Sequence, residues 1–286
     1  IGNLSVIATF GDARMRARLA KGTVTVLGAN DVPVAVGTSS NVKDDAYEFR
    51  SCPYLAPEEE LEKMSGHELA FTAIRHSKEA GHKLAFVLCS VCTDMANLLK
   101  DPRWDELAPG TVSHVVAMGG VVTENPNAPF QMDPDANNNV PDLGAARFVY
   151  DTLRDDRRFW FIVVTRHAAA ACQLPRTAFD GSAHPMARRL SSVIGPALQK
   201  LWVRVNRTEV QRMLAHDKLP MTRDPSWFRT SFLEPSAPPD LGRDDDVWPY
   251  VRGLMEYDGL STVAAATAIH PELFTLFFRP WIDQTS

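Results

Sequence analysis

Residues 125–150 read Asn-Pro-Asn-Ala-Pro-Phe-Gln-Met-Asp-Pro-Asp-Ala-Asn-Asn-Asn-Val-Pro-Asp-Leu-Gly-Ala-Ala-Arg-Phe-Val-Tyr. Amides and carboxylates at this density can hydrogen-bond a polyhydroxylated ligand or coordinate a hard cation. The same residue types also build ordinary turns, so composition alone leaves both readings open. Position adds to the first. The stretch follows an apolar run, Val115-Val116-Ala117, closed by Met118-Gly119-Gly120, and leads into a helix predicted over 142–153. Asp142 is placed to cap that helix, with Ala145, Ala146, Val149 and Leu153 on one face. A strand ending at a Gly pair, a long polar loop and a departing helix put the loop at the carboxyl end of a sheet, where open α/β proteins bind ligands.

Three other places could carry chemistry. Asp258 opens an Ala-rich segment, and either a helix cap or a metal ligand explains it. Cys89-Ser-Val-Cys92 stands at a strand-to-helix junction, where a helix N-terminus can lower a thiol pKa. It lacks the aromatic and proline neighbours of a redox site, and buried Cys commonly acts as a small hydrophobe. His167, after the apolar run 159–164, could be a base or a ligand, but with no paired carboxylate a helix-start role fits it better. Asp44-Asp45 and Asp244-Asp245-Asp246 read as solvated acidic turns rather than cation sites.

The elements that must position these residues follow from the pattern. Apolar runs at 4–9, 83–88, 112–117 and 159–164 predict strands, and 24–26 and 32–36 are further apolar segments. Asp12 can cap a basic helix over 13–20. A helical region spans 58–80, with Ser65 and Glu68 forming a capping box inside it. A helix follows over 93–100. Strand alternating with helix from residue 4 to 175 implies an α/β fold with an open, mostly parallel sheet flanked by helices. The remainder reads as helical: 184–215, a Pro-rich and charged excursion over 216–246, then helices over 247–256 and 258–269. The expected organisation is one domain over 1–286, with an α/β core (1–175), a helical excursion (176–257) and a C-terminal helix and tail (258–286) completing the site.

With 286 residues the chain is long enough to bury a sizeable core, and 23% charged residues is ordinary globular composition. A net charge of −5 and the lack of a basic stripe argue against nucleic-acid binding. No apolar run approaches the ~18 residues of a membrane span. The cysteines, Cys52, Cys89, Cys92 and Cys172, form no dense framework, so a reducing, cytoplasmic compartment is the default; sequons at Asn3 and Asn206 would permit glycosylation in a secreted protein. The opening at Ile1, directly before an apolar strand, suggests a natural product that begins earlier. Oligomeric state, a homo-oligomer included, is left open.

Taken in order, these stretches resemble the inosine/uridine-preferring nucleoside hydrolase family. Phe10-Gly11-Asp12 matches its strand ending in Gly-Asn, Val32-Pro33-Val34 with Gly37 matches a Pro-Val followed by Gly, and Thr93-Asp94-Met95-Ala96 loosely matches a Thr-Asn-x-Ala segment. Met118-Gly119-Gly120 matches a Met-Gly-Gly. The strongest block, N-x-x-x-D-x-x-A-A, is Asn138 to Asp142 with Ala145-Ala146. Near the end, Asp258 and His270-Pro271-Glu272-Leu273-Phe274 match an Asp, an Ala-rich helix and a Pro-x-Leu-Phe. The resemblance implies a nucleoside hydrolase-like fold and hydrolysis of the N-glycosidic bond of a small-molecule ribonucleoside, with Ca²⁺ orienting the ribose and lowering the pKa of a water. By position it makes Asp258 and the backbone carbonyl of Cys89 calcium ligands. Asn138, Asn125 and Asp12 become substrate-binding residues, and Met118 packs beneath the sugar. Departures matter. The Asp-rich N-terminal motif that supplies the catalytic base would lie before Ile1. The family's Glu two residues before Asn138 is Ala136, its Asn after Gly11 is Asp12, and its His before the C-terminal Asp is Tyr257. Ala136, Asp12 and Tyr257 favour the alternative, a nucleoside hydrolase-like ligand-binding or interaction protein without catalysis; Asn138 and Asp258 favour the hydrolase, which is the expected function.

Overall fold

The computed structural model describes residues 4–40, 52–123, 128–214, 222–255 and 257–273. The chain divides between residues 166 and 167, and again between 256 and 257, into two compact units.

The first unit is the α/β part. Strand β1 (Val6–Ala8) is followed by helix α1 (Ala13–Val26) and β2 (Val34–Val36), and the two strands pair in parallel. Helix α2 (Gly66–Glu79) leads to β3 (Leu84–Leu88), α3 (Thr93–Lys100), α4 (Pro102–Leu107) and β4 (Val112–Met118). A short antiparallel pair, β5 (Val121–Val122) and β6 (Gln131–Met132), precedes α5 (Leu143–Asp155) and β7 (Trp160–Val164). β3, β4 and β7 form a parallel sheet in that order. The open, mostly parallel sheet flanked by helices is therefore as the pattern implied.

Strand alternation decides the two faces of β3-β4-β7. Phe86, Leu88, Val115, Phe161 and Val163 point into one cluster with Phe71 and Ile74 of α2, Met95 of α3, Trp104 of α4 and Tyr150 and Leu153 of α5. Fully burying such a side chain stabilises the fold by about 1.5–3 kcal/mol each. The C-terminal helix α10 (Tyr257–Ile269) adds nothing to that cluster and packs on the sheet's other face, across β3, β4 and β7, through the buried Ser261 and Ala265. Small residues there let the helix backbone sit close to the strands.

Local expectations are met at most caps. Asp12 accepts from the Met15 amide and Asp142 from the Ala145 amide. Ser65 caps α2, but Glu68 does not reach back to close the box: it turns outward to a bidentate pair with Arg103. Ser65→Ala should therefore cost about 1 kcal/mol, the usual value of one cap bond, read as a lower urea midpoint at unchanged slope.

Two strand expectations need correction. Val24-Thr25-Val26 is the last turn of α1 rather than a separate segment, because Val24 packs with Ala8, Ala17 and Val34 and that burial outweighs weak β-branched helix propensity. Gly22 makes the extended helix possible, since a Cβ there would run into the Tyr54 carbonyl. β3, whose apolar run implied a buried strand, is half-buried at all five residues. Among the described residues β3 pairs only with β4, so its other edge is unpaired.

Helix α6 (Arg166–Ala171) follows β7 and contains His167 in its first turn, the helix-start position expected of it. The second unit then builds on α7 (Pro185–Val205), α8 (Glu209–Leu214) and α9 (Pro225–Phe232), with Trp202, Val205, Phe228, Val247 and Val251 at its centre. The helix expected over 247–256 is replaced by a single 3-10 turn, Trp248–Tyr250, and a strand β9 (Leu254–Met255) that pairs with β8 (Gln173–Leu174). Pro249 and Gly253 break the helical pattern, and a Cβ on Gly253 would press on Gln173 and the Leu174 carbonyl. Among the described residues no helix is long and apolar enough to cross a membrane.

Candidate functional site

The carboxyl ends of β3 and β4 gather the residues of interest. Leu88 pairs with Ala117, so Cys89 and Met118 leave the sheet side by side, about 4.8 Å apart in the pairing direction. Beyond Met118 the Gly119 amide donates to the Val164 carbonyl at 3.1 Å, which carries the β4-β7 pairing one residue further. The backbone here has no room for side chains. A Cβ on Gly119 would collide with the Tyr150 hydroxyl, and one on Gly120 would stand 2.8 Å from Asp133 and Ala136. Both glycines are present for close approach.

The polar loop is more ordered than its composition implies. The β5-β6 pair and a 3-10 turn, Val140–Asp142, fold it back over the end of β4. The three asparagines do three different things. Asn137 is exposed. Asn138 is half-buried and donates its Nδ2 to the Met118 carbonyl at 3.0 Å, which leaves its Oδ1 as an acceptor at the strand end. Asn139 is 1% exposed and donates to the Asp133 carbonyl at 2.8 Å. Its Oδ1 and the Tyr150 hydroxyl are both buried without a standard hydrogen-bond partner among the described residues. Burial raises the Tyr150 phenol above its ordinary range, with the Asn139 side chain acting in the opposite direction, so the two groups are neighbours.

At the end of β3, the first turn of α10 brings Asp258 to Cys89. Asp258 lies within the helix rather than capping it, and its charge acts on the Cys89 thiol, so the two side chains are neighbours. Desolvation, then the Asp258 charge, pushes the Cys89 thiol up to about 12, although the residue as a whole reaches the surface. Asp258 is also raised, by desolvation, although the residue as a whole is exposed, with the Cys89 side chain acting in the opposite direction. Cys92 is buried and likewise pushed up to about 12, by desolvation and by Asp142. Both shifts run against the thiolate that a redox site at Cys89-Cys92 requires.

The structure thus joins Met118 to Asn138 and Cys89 to Asp258, on adjacent strands. Asp12 is on the β1-β2 half-sheet, where its carboxylate caps α1. Asn125, Asp44-Asp45 and Phe274 lie outside the described residues. Sequence reasoning passed over Asp94 as an anchor and Asn139 and Tyr150 as a buried pair. Asp94 accepts from the Thr38 amide and hydroxyl at 3.0 and 2.5 Å and so ties the end of β2 to α3. The signal available for Tyr150 was its spacing of four from Ala146 on the apolar face of α5.

A calcium ion takes roughly six to eight oxygen ligands, several of them carboxylates. Among the described residues no three His, Cys, Asp or Glu side chains gather around one point. Among the described residues near the strand ends, Asp94, Asp133 and Asp142 already accept protein hydrogen bonds, which leaves Asp258 as the carboxylate that could face an ion.

No protein-family model matches the chain, and no curated protein matches it in sequence. Solved structures do. The type III effector XopQ, determined in complex with adenosine diphosphate ribose, superposes with a TM-score of 0.68 at 26% identity, over 92% of this chain and 71% of its own. The effector XOO4466 gives 0.65 at 27% identity with the same coverage, 92% and 71%. Both share the nucleoside hydrolase-like fold. The fold of this chain is nucleoside hydrolase-like. A plant nucleoside hydrolase, PpNRh1, superposes more loosely, with a TM-score of 0.47 at 14% identity over 80% of this chain and 78% of its own.

Proposed function

We propose that this chain is a nucleoside hydrolase-like binding protein for a ribose-containing small molecule, held at the carboxyl ends of β3 and β4. The observation that carries this reading is the convergence of Asn138, Met118 and Asp258 there. Asn138 offers an acceptor fixed by its own bond to the Met118 carbonyl, Asp258 offers a carboxylate from the first turn of α10, and Met118 leaves the sheet beside Cys89. A ribose presents vicinal hydroxyls on one edge and a mostly apolar ring face, which this arrangement complements. That XopQ was determined with adenosine diphosphate ribose supports the class of ligand.

A second reading, hydrolysis of the N-glycosidic bond of a ribonucleoside, is favoured by the nucleoside hydrolase-like fold. Calorimetric titration with adenosine and with ADP-ribose, followed by chromatography of the mixtures for released base, tests both. Saturable binding without release supports a binding protein; release of base in proportion to protein supports the hydrolase. Failure of either ligand to bind the folded chain overturns the ribose reading.

A further inference from the structure

Resting on the ribose-binding reading, we infer that Asn139 and Tyr150 are a buried positioning pair: the Tyr150 hydroxyl donates to Asn139 Oδ1 in the liganded protein and so holds the polar loop where Asn138 meets the ribose. Both residues are 1% exposed, and each carries one buried oxygen without a hydrogen-bond partner among the described residues. The two oxygens are complementary, since a phenol can donate and an amide oxygen only accepts. They also border one point: a Cβ on Gly119 would stand 2.1 Å from the Tyr150 hydroxyl and 3.6 Å from Asn139 Oδ1. Phenylalanine would fill the same space in α5 without burying an unpaired hydroxyl, which destabilises a fold. A core oxygen kept against that cost is accounted for by a state in which it is paired.

Tyr150 is the fixed end of the pair. Its ring packs edge-on against Phe161, with centroids 5.2 Å apart, inside the main cluster. Asn139 belongs to the loop. Its amide donates to the Ala136 carbonyl at 2.8 Å, its Nδ2 donates to the Asp133 carbonyl at 2.8 Å, and its carbonyl accepts from the Asp142 amide at 3.2 Å. A small step of Asn139 toward Tyr150 therefore carries residues 133–142 as one piece, with the Asn138 acceptor in it. A ligand bonded to Asn138 in that arrangement favours the Tyr150–Asn139 bond, and by linkage the bond favours the ligand.

The test is calorimetric titration of ADP-ribose into the parent chain, Tyr150→Phe, Asn138→Ala and the double variant, with the thermal midpoint of each. Tyr150→Phe should weaken binding by about fivefold or more, in line with the loss of one hydrogen bond. Its thermal midpoint should not fall below the parent's, because the hydroxyl it removes is unpaired in the free protein. A merely structural role would not move affinity alone. In the Asn138→Ala background the same change should weaken binding by less than about twofold, because Tyr150 acts through Asn138. Unchanged affinity in Tyr150→Phe, a thermal midpoint that falls together with the affinity, or full additivity in the double variant overturns the inference and leaves the ribose reading standing. Absence of binding by the folded parent overturns both.

Discussion

Asn138→Ala is expected to weaken binding of ADP-ribose and of adenosine by roughly 10- to 100-fold while leaving the fold intact. The side chain has two functions. Its Nδ2 holds the Met118 carbonyl at 3.0 Å, and its Oδ1 is then presented at the end of β4 with a fixed direction. Alanine removes the acceptor and also releases the strand end that orients Met118. A hydrogen bond within a partly buried site contributes about 0.5–1.5 kcal/mol, and leaving the Met118 carbonyl without its donor adds about 1–3 kcal/mol. Together these reach the stated range. The fold should survive because Asn138 is only half-buried and outside the main cluster. Calorimetry on the variant, with circular dichroism to confirm its helix content, checks the result. Unchanged affinity would mean that the ligand does not use this end of β4.

Gly119→Ala should be a damaging single-methyl change. The new Cβ would be driven into the Tyr150 hydroxyl, and Tyr150 is 1% exposed and in edge contact with Phe161, so it has nowhere to go. Overpacking of a tight core costs about 1–3 kcal/mol, and here the strain falls on the segment that carries Met118. A double-mutant cycle gives the cause. The ring carbon Cζ of Tyr150 would sit 3.4 Å from the added methyl, an ordinary contact, so Tyr150→Phe should restore most of the loss. Tyr150→Phe alone should be near neutral or stabilising, because the hydroxyl it removes is buried without a standard partner. Gly144→Ala, in the exposed first turn of α5, is the contrasting control. Its Cβ would meet only Asp142 Oδ1, at 3.7 Å, so the substitution should gain up to about 1 kcal/mol from helix propensity. Chemical denaturation of the four variants measures all of this, and additive losses in Gly119→Ala/Tyr150→Phe would show that the clash is not the mechanism.

The parallel sheet was legible in the sequence because its strands are runs of β-branched and aromatic residues between helix caps, and both signals act locally. Asp12, Ser65 and Asp142 cap helices because their side chains accept from amides three residues away. Asn138 at the end of β4 was legible for a different reason, the order of several short motifs. What the sequence did not carry was set at long range. Val24-Thr25-Val26 joined α1 because of Val34 on another strand, and the 247–256 segment became a turn and strand because β9 found β8 some 80 residues earlier. Asp258 read equally as a cap and as a ligand, and only the packing of α10 over β3 brings its carboxylate to the Cys89 thiol. The pairing of Asn139 with Tyr150 depends on the closeness of α5 to the Gly119-Gly120 turn, which no pattern within either segment encodes.

The half-buried β3 has a colloidal consequence. Leu84-Ala85-Phe86-Val87-Leu88 is five apolar residues in a row, without Pro, Gly or charge, and among the described residues its outer edge has no strand beside it. Such a segment combines the features that nucleate cross-β stacking between molecules. The neighbouring charge that would ordinarily guard it, Lys83, has its ammonium engaged by the Gly110 carbonyl at the far end of the strand. Concentrated solutions of the chain are therefore expected to associate edge to edge through this strand, which thioflavin binding would detect.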